Sequence, residues 1–235
     1  MSKRDEQRRI REQKQQAAEV QAKRNKNLVR WSLYIGVPLL LAIIIYALIA
    51  QGRTYSPAVI APDDHARGDP EGVTLMVYAD FQCPACATEH RIMAQAWNNI
   101  SSKAQQVFRH YPLTNVHPHA WTAALYSEAA GRQGKFWEMH DLLFFNQAYW
   151  STLADVDEEF DAYLQDLDLD IEQAQEDMRS DALIQKIRND QRGGTRAGVR
   201  STPALFVNGR LVPVPRNATE LVNLVNQALP AAGEL

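Results

Sequence analysis

The longest apolar feature of the chain is WSLYIGVPLLLAIIIYALIA, residues 31–50, a stretch of twenty positions without a charged side chain. As a helix rising about 1.5 Å per residue it would cover roughly 30 Å, the thickness of a bilayer's hydrocarbon core. Trp31, Tyr34 and Tyr46 lie toward its ends, where aromatic belts sit. Pro38 is tolerable there because neighbouring groups can satisfy one freed carbonyl. The run exceeds the about 7–15 apolar residues of a cleaved signal peptide and lacks a small-x-small ending. It also has no polar stripe to give a soluble helix a solvent face. The pattern predicts a transmembrane helix over 31–51.

Beyond it the pattern changes twice. Residues 52–72 (GRTYSPAVIAPDDHARGDPEG) are rich in Pro, Gly and Asp and read as a linker. From Val73, VTLMVYAD predicts a central strand, and ATEHRIMAQAWNNI predicts a helix with Ile92, Ala96 and Trp97 turned inward. AQQVFRHYPL predicts a second strand ending at Pro112. A long helical stretch follows: HPHAWTAALYSEAA, a break at Gly131 and Gly134, KFWEMHDLLFFN, and two short acidic helices within 155–181. ALIQKIRNDQ then leads to Gly193-Gly194 and a short continuation to Ala197. STPALFVNGRLVPV predicts a hairpin turning at Asn208-Gly209, the strongest short turn signal. ATELVNLVNQAL predicts a closing amphipathic helix. This order defines a mixed α/β domain over 73–235, a small sheet with helices packed on it and a helical insertion at about 113–190.

Composition adds a boundary and a direction. At 46% hydrophobic and 23% charged residues, the chain is close to the globular average, which excludes a wholly disordered, collagen-like or disulfide-scaffold protein. The net charge of -3 hides a split, because residues 1–30 carry +6 and residues 31–235 carry -9. The acidic body argues against a nucleic-acid-binding domain. The Lys/Arg bias places a basic segment, 1–30, in the cytoplasm and everything after the apolar run outside it.

The chemistry sits in the only two cysteines, Cys83 and Cys86. Cys83-Pro84-Ala85-Cys86 follows a predicted strand and opens a predicted helix. Proline suits the first helical turn, where its missing N–H is one of the unpaired donors. Cys83 then sits at the N-cap, beside free N–H groups and the positive dipole end, which stabilise a thiolate. The thiolate is the attacking species in disulfide exchange. Cys86, almost one turn on, is placed to be the more buried, resolving thiol. Half a zinc site and an inert structural disulfide are the alternatives. The first lacks a second cysteine pair, and the strand-then-helix setting in an exported domain favours redox work over the second. Thr202-Pro203 at the mouth of an apolar strand points to a cis bond beside the cysteines, which would leave the Thr202 backbone free for a substrate strand. A trans proline merely starting the strand is the alternative.

DFQCPAC, HPHAWTAALYSEAAGRQGKFWEMHDLLFFNQ and GVRSTPALFVNG, in that order, resemble the DsbA-like thiol–disulfide oxidoreductases, nearest to the membrane-anchored bacterial branch with a thioredoxin fold. The resemblance covers roughly residues 68–230. It implies a thioredoxin fold with an inserted helical domain, with Cys83 as nucleophile, Cys86 as resolving cysteine and Pro203 as the cis proline. Thr202, Pro84 and Ala85 would face substrate. No bound cofactor is implied. Two departures stand out. Relatives often carry an acid six residues before the nucleophile, where this chain has Val77, leaving Asp80 as the nearest carboxylate. Strongly oxidising members carry His where this chain has Ala85. A smaller departure is Ser201, where relatives often have Gly.

Other features read more plainly. Arg188, Arg192, Arg196 and Arg200 form a basic stripe leading toward Pro203, either raising the potential near Cys83 or serving as a solvated face. His117-Pro118-His119 opens a helix, and with the cysteines would be the metal-handling alternative. The dense run from Phe136 to Phe145 reads as core with a possible share in a peptide groove. Arg67-Gly68-Asp69 matches the adhesion tripeptide by coincidence, and Asn217-Ala218-Thr219 matches a glycosylation pattern that matters only in a eukaryotic secretory context. The expectation is a single-pass membrane protein whose external domain forms disulfides in exported proteins, recharged by a quinone-linked re-oxidase. A reductase or isomerase fed by a membrane electron carrier is the alternative with the same site. A metal-binding chaperone using the CxxC and a histidine is the alternative of another class.

Overall fold

Seven residues, Val73–Ala79 (β2), form the centre of the sheet in a computed structural model that describes residues 14, 21, 23–27 and 31–229. They read as an unbroken apolar run because both faces are covered. Side chains alternate between faces. Val73, Leu75, Val77 and Ala79 belong to the larger core, while Met76 and Tyr78 belong to a smaller one with Val107, Tyr111, Val199 and Phe206. The sheet order is β1-β3-β2-β4-β5. The strand Ala104–His110 (β3) pairs parallel with β2, with Val73 opposite Ala104. The helix Pro84–Ile100 (α2) makes the crossover a parallel pair needs. Ala204–Val207 (β4) pairs antiparallel with β2, and Arg210–Val212 (β5) closes the hairpin at the edge. Asn208 and Gly209 both have positive φ, 48° and 77°, as the tight hairpin turn demands.

The helical insertion comprises Ala120–Arg132 (α3), Phe136–Phe145 (α4), Gln147–Trp150 (α5), Asp157–Asp166 (α6), Ile171–Met178 (α7) and Asp181–Arg196 (α8). The chain ends its described part with Ala218–Ala228 (α9), capped by Asn217, whose side chain accepts from the Glu220 amide. Helix α8 runs through the Gly193-Gly194 pair to Arg196, in line with the expected short continuation to Ala197. A Cβ on Gly193 would stand 2.5 Å from the Tyr55 carbonyl oxygen, and one on Gly194 2.8 Å from the Tyr78 ring. The pair is there for close approach, and packing overrides its weak helix propensity.

The segment expected to be a linker is built into the domain. His65–Gly68 (β1) pairs antiparallel with β3 as the other sheet edge. Just before it, Asp64 accepts from Arg109 at 2.6 Å, with both side chains fully buried. Arg109 also donates to the Ser56 and Val59 carbonyls and to the Tyr78 hydroxyl. Lys186 lies 3.7 Å from Asp64 and 2.7 Å from Asp190, which accepts from the His110 amide. Glu128 takes His110 and His65 at 2.8 and 3.0 Å. Arg67, of the adhesion-like tripeptide, lies over the Trp137 ring at 4.2 Å and donates to Gln106, so it is part of the packing.

The N-terminal part forms a separate compact unit, residues 1–51. A five-residue π-helical turn, Ser32–Gly36, precedes the helix Val37–Thr54 (α1). Among the described residues no helix is long and apolar enough to cross a membrane. This corrects the expected single spanning helix over 31–51. The π-turn leaves α1 only the apolar run 37–50, about 21 Å of helix against the roughly 30 Å a bilayer core requires. Most of the basic segment 1–30, and residues 230–235, lie outside the described residues.

Asp64→Asn strands the buried Arg109 guanidinium without its counter-charge. Urea unfolding is expected to show a loss of about 3–5 kcal/mol, the cost of breaking a buried pair from one side. A change below about 1 kcal/mol would mean the pair behaves as an exposed one.

Candidate functional site

β2 delivers the chain to its C-terminal edge, and α2 begins after the four residues Asp80, Phe81, Gln82 and Cys83. Cys83 is the N-cap residue, in extended conformation, and Pro84 follows in the first turn. The Cys83 amide donates to the Asp80 carbonyl at 3.1 Å, while its own carbonyl accepts from the Cys86 and Ala87 amides at 3.0 and 3.2 Å. Pro84 and Ala85 are exposed, Cys83 is 8% exposed and Cys86 is fully buried. Neither thiol is bridged in this structure. The Thr202–Pro203 bond is cis, and the Cys83 thiol lies 3.6 Å from the Thr202 carbonyl oxygen. The turn after β2 and the turn before β4 thus meet, because those strands are sheet neighbours.

The two thiols are driven apart in acidity. A hydrogen bond from the Cys86 thiol is the largest influence on Cys83, and burial opposes it. The Thr202 side chain, whose buried hydroxyl has no hydrogen-bond partner of its own, and the Cys86 and Ala85 amides act with the first, and the Cys83 pKa comes down to about 5. Burial, and then the bond it gives to Cys83, push Cys86 well above the ordinary thiol value. The outer sulfur is therefore a thiolate at neutral pH and the inner one a thiol. The arginine stripe is not among these main influences. Arg188 lies over the Trp121 ring at 5.9 Å, Arg192 bonds Asn189, and Arg196 lies beside Tyr55. Arg200 lines an open hollow of about 560 Å³ together with Ser201, Pro203, Ala204, Leu211 and Val214.

Three buried side chains clasp the loop before Cys83. The Asp80 carboxylate accepts from the Gln82 and Leu113 amides, both at 2.8 Å, and from His117 Nδ1 at 2.7 Å. It is thus committed as a loop anchor. Val77 sits in the same apolar core as both cysteines, so β2 supplies no carboxylate there. The Gln82 side chain accepts from the His119 amide at the start of α3. Gln147 of α5 reaches back to donate to the Phe81 and Cys83 carbonyls at 2.6 and 2.9 Å. Sequence reading did not single out Gln147. Only the fold marks it, as a buried amide between the exposed Phe145 and Tyr149, at 64% and 58%. Of the apolar residues in the Phe136–Phe145 run, Phe136, Met139, Leu143 and Phe144 are core and only Phe145 is largely exposed. His119 Nε2 faces the Leu153 carbonyl oxygen at 2.9 Å. Among the described residues the cysteines belong to no cluster of three potential metal ligands.

A five-stranded mixed sheet, a CxxC at the start of the helix after its central strand and a cis proline facing the first cysteine define a thioredoxin-fold dithiol protein. A family model described as Thioredoxin matches residues 61–227, and the chain belongs to that family. The chain is 40% identical over 164 residues to a protein named Na(+)/H(+) antiporter NhaA 1 from Salinispora arenicola, a match covering 69% of this chain and 24% of that protein. It spans about a quarter of the length of the curated relatives it matches. A thioredoxin-like oxidoreductase from Silicibacter pomeroyi superposes with a TM-score of 0.61 at 24% identity, covering 71% of this chain and 92% of that one. The thiol-disulfide exchange protein alpha-DsbA2 from Wolbachia pipientis gives 0.64 at 17% identity, covering 76% and 94%. The likeness to these structures is one of fold: a thioredoxin-like α/β domain with a helical insertion.

Iodoacetamide reacts with thiolate, so its rate at Cys83 is expected to rise with pH through a midpoint near 5 and level off above it. Cys86→Ala removes the largest stabilising bond and moves that midpoint upward. A wild-type midpoint near the free-thiol value of about 8.5 would contradict the geometry. Gln147→Ala removes the amide donor from the Phe81 carbonyl and leaves the Cys83 carbonyl with only its helical donors, the Cys86 and Ala87 amides. It is expected to cost about 1–3 kcal/mol in urea unfolding and to raise the Cys83 midpoint, whereas an unmoved midpoint would reduce Gln147 to a packing residue.

Proposed function

We propose that this chain is a membrane-held, extracytoplasmic thiol–disulfide oxidoreductase that forms disulfides in exported proteins. The observation that carries the reading is the opposed acidity of Cys83 and Cys86 at the start of α2. With the pair oxidised, a substrate thiolate attacks the Cys83 sulfur. The Cys83–Cys86 bond breaks and Cys86 leaves, taking up a proton. A second substrate thiolate then attacks the substrate sulfur of the mixed disulfide, and Cys83 departs as thiolate. The substrate loses two electrons and the dithiol gains them. The low Cys83 pKa makes it a good leaving group.

Thermodynamics points the same way. A thiol pKa held below its unfolded value stabilises the reduced form. That stabilisation builds up as pH rises between about 5 and the unfolded value and is lost as pH falls through about 5. Stabilising the reduced form makes the disulfide more oxidising. In this reading Cys83 is the nucleophile, Cys86 the resolving cysteine and Pro203 the residue that orients the Thr202 backbone toward a substrate strand. Pro84 and Ala85 form the exposed contact surface. Membrane attachment through the apolar run is supported by its charge-free sequence and by the exposure of Leu39, Leu40, Leu41, Ile43, Ile44 and Ile45. Recharging falls to a quinone-linked membrane re-oxidase. Ion transport, named for the longer relatives, is not carried over to this chain.

The reduction potential of the full chain in detergent tests the direction. A value above about -180 mV is expected, and one near -270 mV would make the chain a reductase. The roles are tested by Cys86→Ala, which is expected to trap exported cysteine-containing proteins as mixed disulfides through Cys83. Trapping present in Cys83→Ser but absent from Cys86→Ala would reverse the assignment.

A further inference from the structure

α2 meets the helical insertion through two buried imidazoles and one carboxylate. His90 on α2 and His140 on α4 are 3% and 1% exposed. His90 Nε2 stands 2.9 Å, and His140 Nδ1 2.8 Å, from one oxygen, Oδ1 of Asp141. A ligand atom from each of the three lies within 4.8 Å of the other two. Ring contacts hold both imidazoles. His90 stacks on Phe144 at 5.0 Å, and His140 stands edge-on to Phe108 and Trp137 at 4.9 and 5.0 Å. Asp141 is the open side of the cluster, its side chain 37% exposed. Its other oxygen lies 3.6 Å from Arg67 Nη1. Hydrogen bonds do not close the cluster, since His90 Nδ1 is buried without a partner.

We propose that His90, His140 and Asp141 form a binding site for a divalent transition-metal ion, zinc being the best suited, which ties α2 to α4. Two imidazoles and a carboxylate are a known set for three-ligand zinc sites, whose fourth position is left to water. Zinc bonds of about 2.0–2.1 Å in a tetrahedral arrangement place ligand atoms roughly 3.3–3.4 Å apart. The present separations of 2.8 and 2.9 Å therefore need to open by roughly half an ångström. The carboxylate side, where water can reach, supplies the fourth position and the way in. Arg67 opposes a cation but engages Oδ2, which leaves Oδ1 for the metal. His90 lies one turn beyond Cys86 on α2, so a bound ion would fix the far side of the active-site helix to the insertion. The site stands apart from the redox reading and survives its failure.

The test uses the full chain with Cys83→Ser and Cys86→Ser, so that thiolates bind no metal. Zinc titration against a competing chelator is expected to give one ion per chain and a raised Tm. Cobalt is expected to give ligand-field bands without thiolate charge transfer. His140→Gln and Asp141→Asn are each expected to weaken binding by about 100-fold or more. If His140→Gln fails to fold, Asp141→Asn, at the partly exposed position, decides between site and no site. Absence of saturable binding, or binding untouched by Asp141→Asn, overturns the site and leaves a hydrogen-bonded triad.

Discussion

Unpaired amide groups at the first turn of α2 are the constraint around which this molecule is arranged. A helix must leave its first N–H groups without helical partners, and here Cys83 holds the N-cap in front of them. Ala85 contributes an amide but no imidazolium, and the arginines of α8 are occupied elsewhere. The thiolate is stabilised by dipoles, namely the Cys86 thiol, the Thr202 hydroxyl and two backbone amides. Such groups work only when held in place. Asp80, Gln82 and Gln147 do so by tying the approach to Cys83 to three different segments of the helical insertion and its entry loop.

A second set of interactions gives that arrangement a rigid base. Arg109, Asp64, Lys186 and Asp190 are charges taken out of water in a connected group, with Glu128, His110 and His65 beside them. Buried ions cost so much that each must be paired, which makes the network a strict geometric requirement. It joins residues 55–68 to β3 and α8. The segment before the central strand is therefore part of the fold, and the family match beginning at residue 61 agrees with that.

Much of this was legible in the residues. VTLMVYA read as a central strand, Asn208-Gly209 as a tight turn, and CPAC after a strand as a helix start carrying a reactive thiol. The pairing of that motif with Thr202-Pro203 pointed to a cis bond facing it. β1 was not legible, because HARG is short, half polar and flanked by turn residues, and its strand state comes from pairing with β3. The continuation of α8 past Gly193-Gly194 was legible, but the reason for a glycine pair there was not. It depends on Tyr55 and Tyr78, far away in sequence. Gln147 resembles any surface glutamine until α5 is folded against the active-site loop. The spanning helix read from 31–51 met a local π-turn that composition does not encode.

The sequence by itself determined the class of fold, the redox-capable pair and the split between a basic first segment and an acidic body. Those depend on local spacing, on hydrophobic period and on the count of charges. Tertiary structure alone decided how acidic each thiol is, which amides hold the loop, and that His90 meets His140 and Asp141. These depend on burial and on distances between atoms remote in the chain, and electrostatic energy in a protein interior changes steeply with both.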